Sequence, residues 1–188
     1  MDANPIVLLT GFAPFGRWRI NSSWEGARLL EGRYGGRLVI ARLPVDRRRA
    51  ARELVALLER HRPQACLLTG LARGPKLRVE TWARRPRALA GPEAPGRLSG
   101  SWPVAEAGLA IRLSGLPYRI SANAGKYVCD STYWRLLMFR ENNGWPIDAG
   151  FLHVPPLSRR FTARKLAAVM DRIVRRRLVR SAAWGTGR

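Results

Sequence analysis

Ile6-Val7-Leu8-Leu9-Thr10-Gly11 is the stretch that decides the fold. A continuous apolar run stopped by glycine reads as a strand buried on both faces, opening into a loop at its C-terminal end. Outward from it, apolar strands and helical segments alternate. Asn21 or Ser22 can cap a helix over about 23–31, and 38–43 reads as a second strand. Asp46 is suited to cap a helix over 47–60, with Ala50, Ala51, Leu54, Val55, Leu57 and Leu58 on its inner face. Residues 65–69 form a buried strand stopped by Gly70, with Cys66 as a packing residue. A helix over 103–113 begins with proline in its first turn, a strand follows at 118–121, and Asn123-Ala124-Gly125 makes a turn. A helix over 128–140, a strand over 149–154 and a closing helix capped by Thr162 and running to about 178 complete the chain. In that last helix Leu166, Val169, Met170, Ile173 and Val174 keep helical spacing, and Arg172, Arg175, Arg176, Arg177 and Arg180 form a solvated face. The Arg-, Pro- and Gly-rich stretch 84–101 reads as an irregular loop. The alternation predicts an α/β fold: a three-layer α/β/α sandwich with a mixed, mostly parallel central sheet, in one domain over 1–188.

The 188 residues carry 34 Lys and Arg against 13 Asp and Glu, a formal charge of +21. Only Lys76, Lys126 and Lys165 are lysines, so the surface is arginine-dominated. Such a surface attracts polyanions non-specifically and in a salt-dependent way, but no nucleic-acid-binding module or basic face interleaved with aromatics is present. No run of eighteen apolar residues marks a membrane span. Met1-Asp2-Ala3-Asn4-Pro5 lacks the basic stretch of a signal peptide and reads as the approach to a core strand. Cys66 and Cys129 do not make a disulfide framework, which points to a reducing cytoplasm. Two Cys and two His scattered without ligand spacing give no metal site, and neither a phosphate loop nor a dinucleotide fingerprint is present.

Chemistry concentrates in Ala124-Gly125-Lys126-Tyr127-Val128-Cys129-Asp130 and Gly150-Phe151-Leu152-His153-Val154-Pro155. A thiol attacks as thiolate, and a histidine near in space is the usual means of generating one. Cys129 starts a helix, whose free N–H groups favour the thiolate and can hold an oxyanion. His61, at a helix end before Pro63, reads as a helix C-terminal cap, which leaves His153 as the base.

These segments, with others, resemble the pyroglutamyl peptidase I family (pyrrolidone carboxyl peptidases), cysteine peptidases that remove N-terminal pyroglutamate. Leu8-Leu9-Thr10-Gly11-Phe12-Ala13-Pro14-Phe15-Gly16 looks like the family's opening turn, and Asn21-Ser22-Ser23-Trp24-Glu25 like the motif that follows it. Gly70-Leu71-Ala72, Glu80, Trp102-Pro103 and the Cys and His segments complete the set over about residues 6–157. The resemblance implies a catalytic set of Glu80, Cys129 and His153, with Glu80 orienting the imidazole. It implies that Phe12 and Phe15 stack on the pyrrolidone ring with Val128 beside the nucleophile. It also implies a peptide substrate with N-terminal pyroglutamate, a thioester intermediate, no cofactor, and a homo-oligomer, dimer or tetramer. Trp18, Trp145 and Trp184 are open to an interface role or a core role.

The chain departs from the family after Glu80, where Thr81-Trp82-Ala83-Arg84-Arg85 stands. Lys126 replaces a small polar residue, and Asp130 replaces the Asn after the nucleophile. Asp130 would raise the thiol pKa and Lys126 would offset it. Two alternatives therefore stand beside the peptidase: a divergent cysteine hydrolase acting on another amide or ester, and a catalytically inactive basic binding protein.

Overall fold

A computed structural model describes residues 6–86 and 93–180. Its six-stranded sheet has the order β2-β1-β3-β8-β4-β7, built from β1 (Val7–Phe12), β2 (Leu38–Leu43), β3 (Ala65–Leu71), β4 (Leu77–Glu80), β7 (Tyr118–Ser121) and β8 (Asp148–Val154). Strands β2, β1, β3 and β8 are mutually parallel, and β4 runs antiparallel to β8 while pairing in parallel with β7. The sheet is therefore mixed and mostly parallel.

Side chains alternate across each strand, so the central strands β1, β3 and β8 feed two cores. Val7, Leu9, Leu67, Val79, Leu152 and Val154 meet α1 (Ser22–Arg28), α3 (Val104–Arg112) and α5 (Ala163–Arg180) on one face. Leu8, Phe12, Cys66, Leu68 and Phe151 meet α2 (Arg47–His61) and α4 (Val128–Asn143) on the other. This is the α/β/α sandwich. Gly11 permits it locally: a Cβ there would lie 2.6 Å from the Trp24 Cα, so α1 could not sit on β1.

The N-caps agree with the sequence reading, whereas the C-cap of α2 falls one residue later than expected. Asn21 accepts from the Ser23 N–H, Asp46 from the Arg49 N–H, and Thr162 from the Lys165 N–H. His61 is the last residue of α2, and the left-handed cap position after it belongs to Arg62 (φ 44°). On the inner face of α2, Ala50, Ala51, Leu54 and Leu58 are buried, whereas Val55 and Leu57 are half-buried. Helix α1 is shorter than expected, because the chain turns after Arg28.

Three features differ more substantially. Strand β4 was not anticipated: Leu77-Arg78-Val79-Glu80 has strand alternation, but half its residues are charged. The stretch expected to be an irregular loop over 84–101 pairs at its ends: β5 (Trp82–Arg84) and β6 (Arg97–Ser99) form an antiparallel ribbon that packs on α4. Arg97 lies 3.9 Å from the centroid of the Trp82 ring, a cation–π contact that closes the ribbon. Residues 87–92 of that stretch lie outside the described residues, as do 1–5, Trp184 and the Arg180 side chain. Finally, Arg177 does not join Arg172, Arg175 and Arg176 in solvent. It is buried, with Nη2 2.8 Å from Glu106 Oε2, Nε 3.2 Å from Asp148 Oδ2 and its guanidinium over Trp102. It links α5 to α3 and β8. No helix among the described residues is long and apolar enough to cross a membrane.

Removing a buried charge strands its partners, whereas removing a solvated one does not. Arg177→Ala is therefore expected to cost about 2–3 kcal/mol of unfolding free energy, discounted for the partial exposure of both carboxylates. Arg172→Ala should stay within about 0.5 kcal/mol. Urea denaturation of both variants checks the contrast.

Candidate active site

The loop after β1 is tied down by short polar side chains. Asn21, almost wholly buried, donates from Nδ2 to the Ala13 carbonyl (3.0 Å), and its Oδ1 accepts from both the N–H and the hydroxyl of Ser23. The Ser23 hydroxyl in turn accepts from the Phe12 N–H (3.1 Å). The start of α1 thus fixes the end of β1. Beyond it, Phe15 and Trp18 exchange backbone hydrogen bonds of 3.2 and 2.9 Å around Gly16, whose φ of 52° suits a residue without Cβ. Phe12 is consequently buried in the core while Phe15 stays exposed at the loop tip.

Strand β4 brings a carboxylate to a histidine. In the antiparallel β4–β8 ladder Arg78 lies opposite His153 and Glu80 opposite Phe151, so all four side chains share one face. Glu80 reaches diagonally to His153, with Oε1 2.8 Å from Nδ1. Arg78 Nε lies 3.2 Å from the same oxygen. Burial alone would raise the Glu80 pKa. The hydrogen bond and charge of His153, the Ser121 hydroxyl and the Arg78 charge outweigh it, and the group ends below the usual range. For His153 burial dominates, and its pKa falls below 6.5 although Glu80 pulls it upward. The imidazole is therefore neutral near pH 7. Its Nδ1–H donates to the Glu80 carboxylate, which leaves Nε2 unprotonated. Phe151 holds the ring from the side, with centroids 4.7 Å apart.

Cys129 enters from α4. The helix has Tyr127 at its N-cap, with no side chain accepting from its first N–H groups. The loop before it is shaped by the Asn123 side chain, which accepts from the Gly125 N–H, and by Arg47, which donates to the Lys126 carbonyl (2.6 Å). Below Cys129 lies Gly70, the partner of His153 in the β3–β8 register. A Cβ on Gly70 would fall 2.9 Å from the Cys129 Sγ and 3.0 Å from the Phe151 Cζ. The missing side chain is thus the space in which the sulfur sits, at the strand position paired with His153.

The same helix grips both neighbours. Tyr133, fully buried, donates from its hydroxyl to the Glu80 carbonyl (3.2 Å). Asp130 accepts from the Arg84 N–H (3.1 Å) and so anchors β5. Asp130 is buried and bonded inward, and burial raises its own pKa.

The expected low thiol pKa is corrected here. Although Cys129 keeps some contact with solvent, its sulfur packs against Gly70 and the apolar core. Burial pushes the thiol up to about 12. Its own backbone N–H and the Arg78 charge pull it down, and the Glu80 and Asp130 charges push it up. The helix N-terminus acts in the expected direction but is outweighed. At rest the pair is a protonated thiol beside a neutral imidazole.

Cys129, His153, Phe12, Phe15 and Val128 all line one cleft of about 810 Å³, at the C-terminal ends of β1, β3 and β8. Glu80 stands behind it, reaching it through His153. All six residues singled out in the sequence are thereby brought to one place. The chain matches the model of the family described as pyroglutamyl peptidase over residues 6–84 and 87–177.

The chain belongs to the pyroglutamyl peptidase family.

Similar proteins include the pyrrolidone-carboxylate peptidase of Gloeobacter violaceus, 36% identical over 168 residues, covering 80% of this chain and 82% of that one. That of Thermococcus kodakarensis is 34% identical over 165 residues, covering 79% and 80%. The crystal structure of the pyroglutamyl peptidase I of Bacillus amyloliquefaciens shares the fold with a TM-score of 0.81 at 23% identity, covering 95% of this chain and 97% of that one.

Within this pyroglutamyl peptidase family member, two residues of the site escaped the sequence reading. Arg78 stands two residues before Glu80, and that spacing would have placed both on one face had β4 been recognised. Tyr133 stands four residues after Cys129, one helical turn on, yet nothing in the sequence says that its hydroxyl finds a carbonyl on β4. Of the three tryptophans left open, Trp18 lines the cleft and Trp145 packs on Phe139.

The crowding at Gly70 is testable by a double-mutant cycle. Gly70→Ala alone is expected to cost about 1–3 kcal/mol, as overpacking does. Combined with Cys129→Ala, which removes the sulfur, it should cost at least about 0.5 kcal/mol less than the sum. Additive costs in urea denaturation would contradict the contact.

Proposed function

We propose that the chain is a cysteine exopeptidase that hydrolyses the amide bond following an N-terminal pyroglutamyl residue, using Cys129, His153 and Glu80 and no cofactor. The observation that carries this reading is the Glu80–His153 hydrogen bond set beside Cys129 in a cleft with an aromatic wall. The relatives named pyrrolidone-carboxylate peptidases support the substrate.

The chemistry follows from the protonation states. Nε2 of His153 accepts the thiol proton as the sulfur attacks the lactam-bearing acyl carbonyl, so thiolate forms only as it is used. The resulting oxyanion is met by N–H groups at the start of α4, including that of Cys129. The imidazolium, stabilised by Glu80, then gives its proton to the departing amine as the C–N bond breaks and leaves a thioester. Water attacks the thioester with its proton passing to Nε2. Pyroglutamate leaves, and the proton returns to the sulfur. Phe12, Phe15 and Val128 offer an apolar surface to the compact pyrrolidone ring, which a charged N-terminal amine would not match.

A fluorogenic pyroglutamyl amide is expected to be hydrolysed, a prolyl amide not, and Cys129→Ala should abolish turnover. Rapid alkylation of Cys129 without pyroglutamyl turnover would instead favour hydrolysis of another amide or ester.

The pH profile tests the protonation states separately. The base must be neutral, and its pKa lies below 6.5, so kcat/KM should fall only on the acid side of that value. With the thiol near 12, the profile should be flat through neutrality. A tenfold rise per pH unit through neutrality would show that preformed thiolate is the reacting species.

A further inference from the structure

The described residues lining the catalytic cleft include Arg47, Arg73, Arg78 and Lys126 and no Asp or Glu. Arg78 is half-buried and committed to Glu80. The other three are exposed, and among the described residues none enters an ion pair. They stand on three separate segments: Arg47 opens α2, Arg73 follows β3, and Lys126 lies three residues before Cys129. The carboxylates next to these segments in sequence form no ion pair with them. Asp46 caps α2, and Asp130 turns inward to the Arg84 N–H.

Resting on the pyroglutamyl reading above, we infer that Arg73 and Lys126, with Arg47, select substrates carrying a carboxylate just beyond the scissile bond. The cleft divides its chemistry accordingly. The apolar wall takes the neutral acyl ring, which has no charge for these cations to meet. The remaining peptide must leave through the solvent-open part of the cleft, whose exposed cations are Arg47, Arg73 and Lys126. A cleft lined by one sign of charge concentrates the complementary ligand beyond what overall charge achieves. The carboxylate has two possible sources: an Asp or Glu side chain in the first residue released, or the C-terminus of a short peptide. Both present the same group to the same cations.

The test compares four substrates by release of pyroglutamate: pyroglutamyl-alanine amide, pyroglutamyl-lysine amide, pyroglutamyl-glutamate amide and pyroglutamyl-alanine with a free carboxylate. At low salt, kcat/KM for at least one carboxylate-bearing substrate is expected to exceed that of the neutral amide roughly three- to tenfold, the effect of two or three exposed charge pairs. The glutamate amide and the free acid show which source is read. The double variant Arg73→Glu/Lys126→Glu should erase this preference or turn it towards the lysine amide. Arg172→Glu/Arg175→Glu makes the same change of net charge on α5, across the sheet from the cleft, and should leave it intact. The preference should also shrink in about 1 M salt, where screening acts within roughly 3 Å. That measurement needs no variant to fold.

Equal rates for all four substrates would overturn the inference, as would a preference that survives high salt or responds equally to both double variants. If even the neutral amide is not cleaved, the pyroglutamyl reading itself falls and takes this inference with it.

Discussion

The Glu80 carboxylate, shut away from solvent at the end of β4, needs partners, because an ion taken out of water loses several kcal/mol of hydration. The partners come from the reversal of β4 in an otherwise parallel neighbourhood. Pairing β4 antiparallel to the last turns of β8 puts Arg78 opposite His153 and Glu80 one step along the same face. From that register follow the hydrogen bond to Nδ1, the tautomer of the imidazole and the position of Nε2. Tyr133 then clamps the Glu80 backbone from the very helix that carries Cys129. One short strand thus couples His153 to the helix that carries Cys129.

The electrostatics run against first intuition. A chain of +21 would be expected to hold a ready thiolate, yet the surface charge is far from the sulfur in dielectric terms, and local burial decides. Among the described residues, Arg78 is the cation that acts on Cys129, His153 and Glu80 together, and it lowers the pKa of each. The site therefore holds a neutral, oriented imidazole beside a protonated thiol. The remaining cations at the cleft stand outside this inner set, where they meet solvent.

Much of the fold was legible because its signals are local. Apolar runs ending in glycine marked β1 and β3, and caps such as Asp46 and Thr162 marked helix starts to within a residue. Cys129 and His153 stood out because few residue types can do their chemistry, and a resemblance in motif order added Glu80, Phe12, Phe15 and Val128. What stayed hidden depends on contacts distant in sequence. Strand β4 went unread because its two charged residues face a buried site, where the pattern rule expects solvent. Arg177 sat in a run of arginines, and only the packing of α5 against α3 and β8 singles it out. The ribbon of β5 and β6 rests on α4 and on one cation–π contact, neither of which follows from composition. The thiol pKa was misjudged because the helix N-terminus is visible in sequence and the depth of the sulfur is not.

The claim on which the rest depends is that Glu80 holds His153 as a neutral imidazole protonated on Nδ1. Nitrogen-15 NMR of the ring, in protein with labelled histidine, reads this directly, with His153→Ala used to assign the signals. The account predicts at pH 7 a protonated Nδ1 and an unprotonated Nε2, titrating only below 6.5. A proton on Nε2, or a charged ring at pH 7, would contradict it.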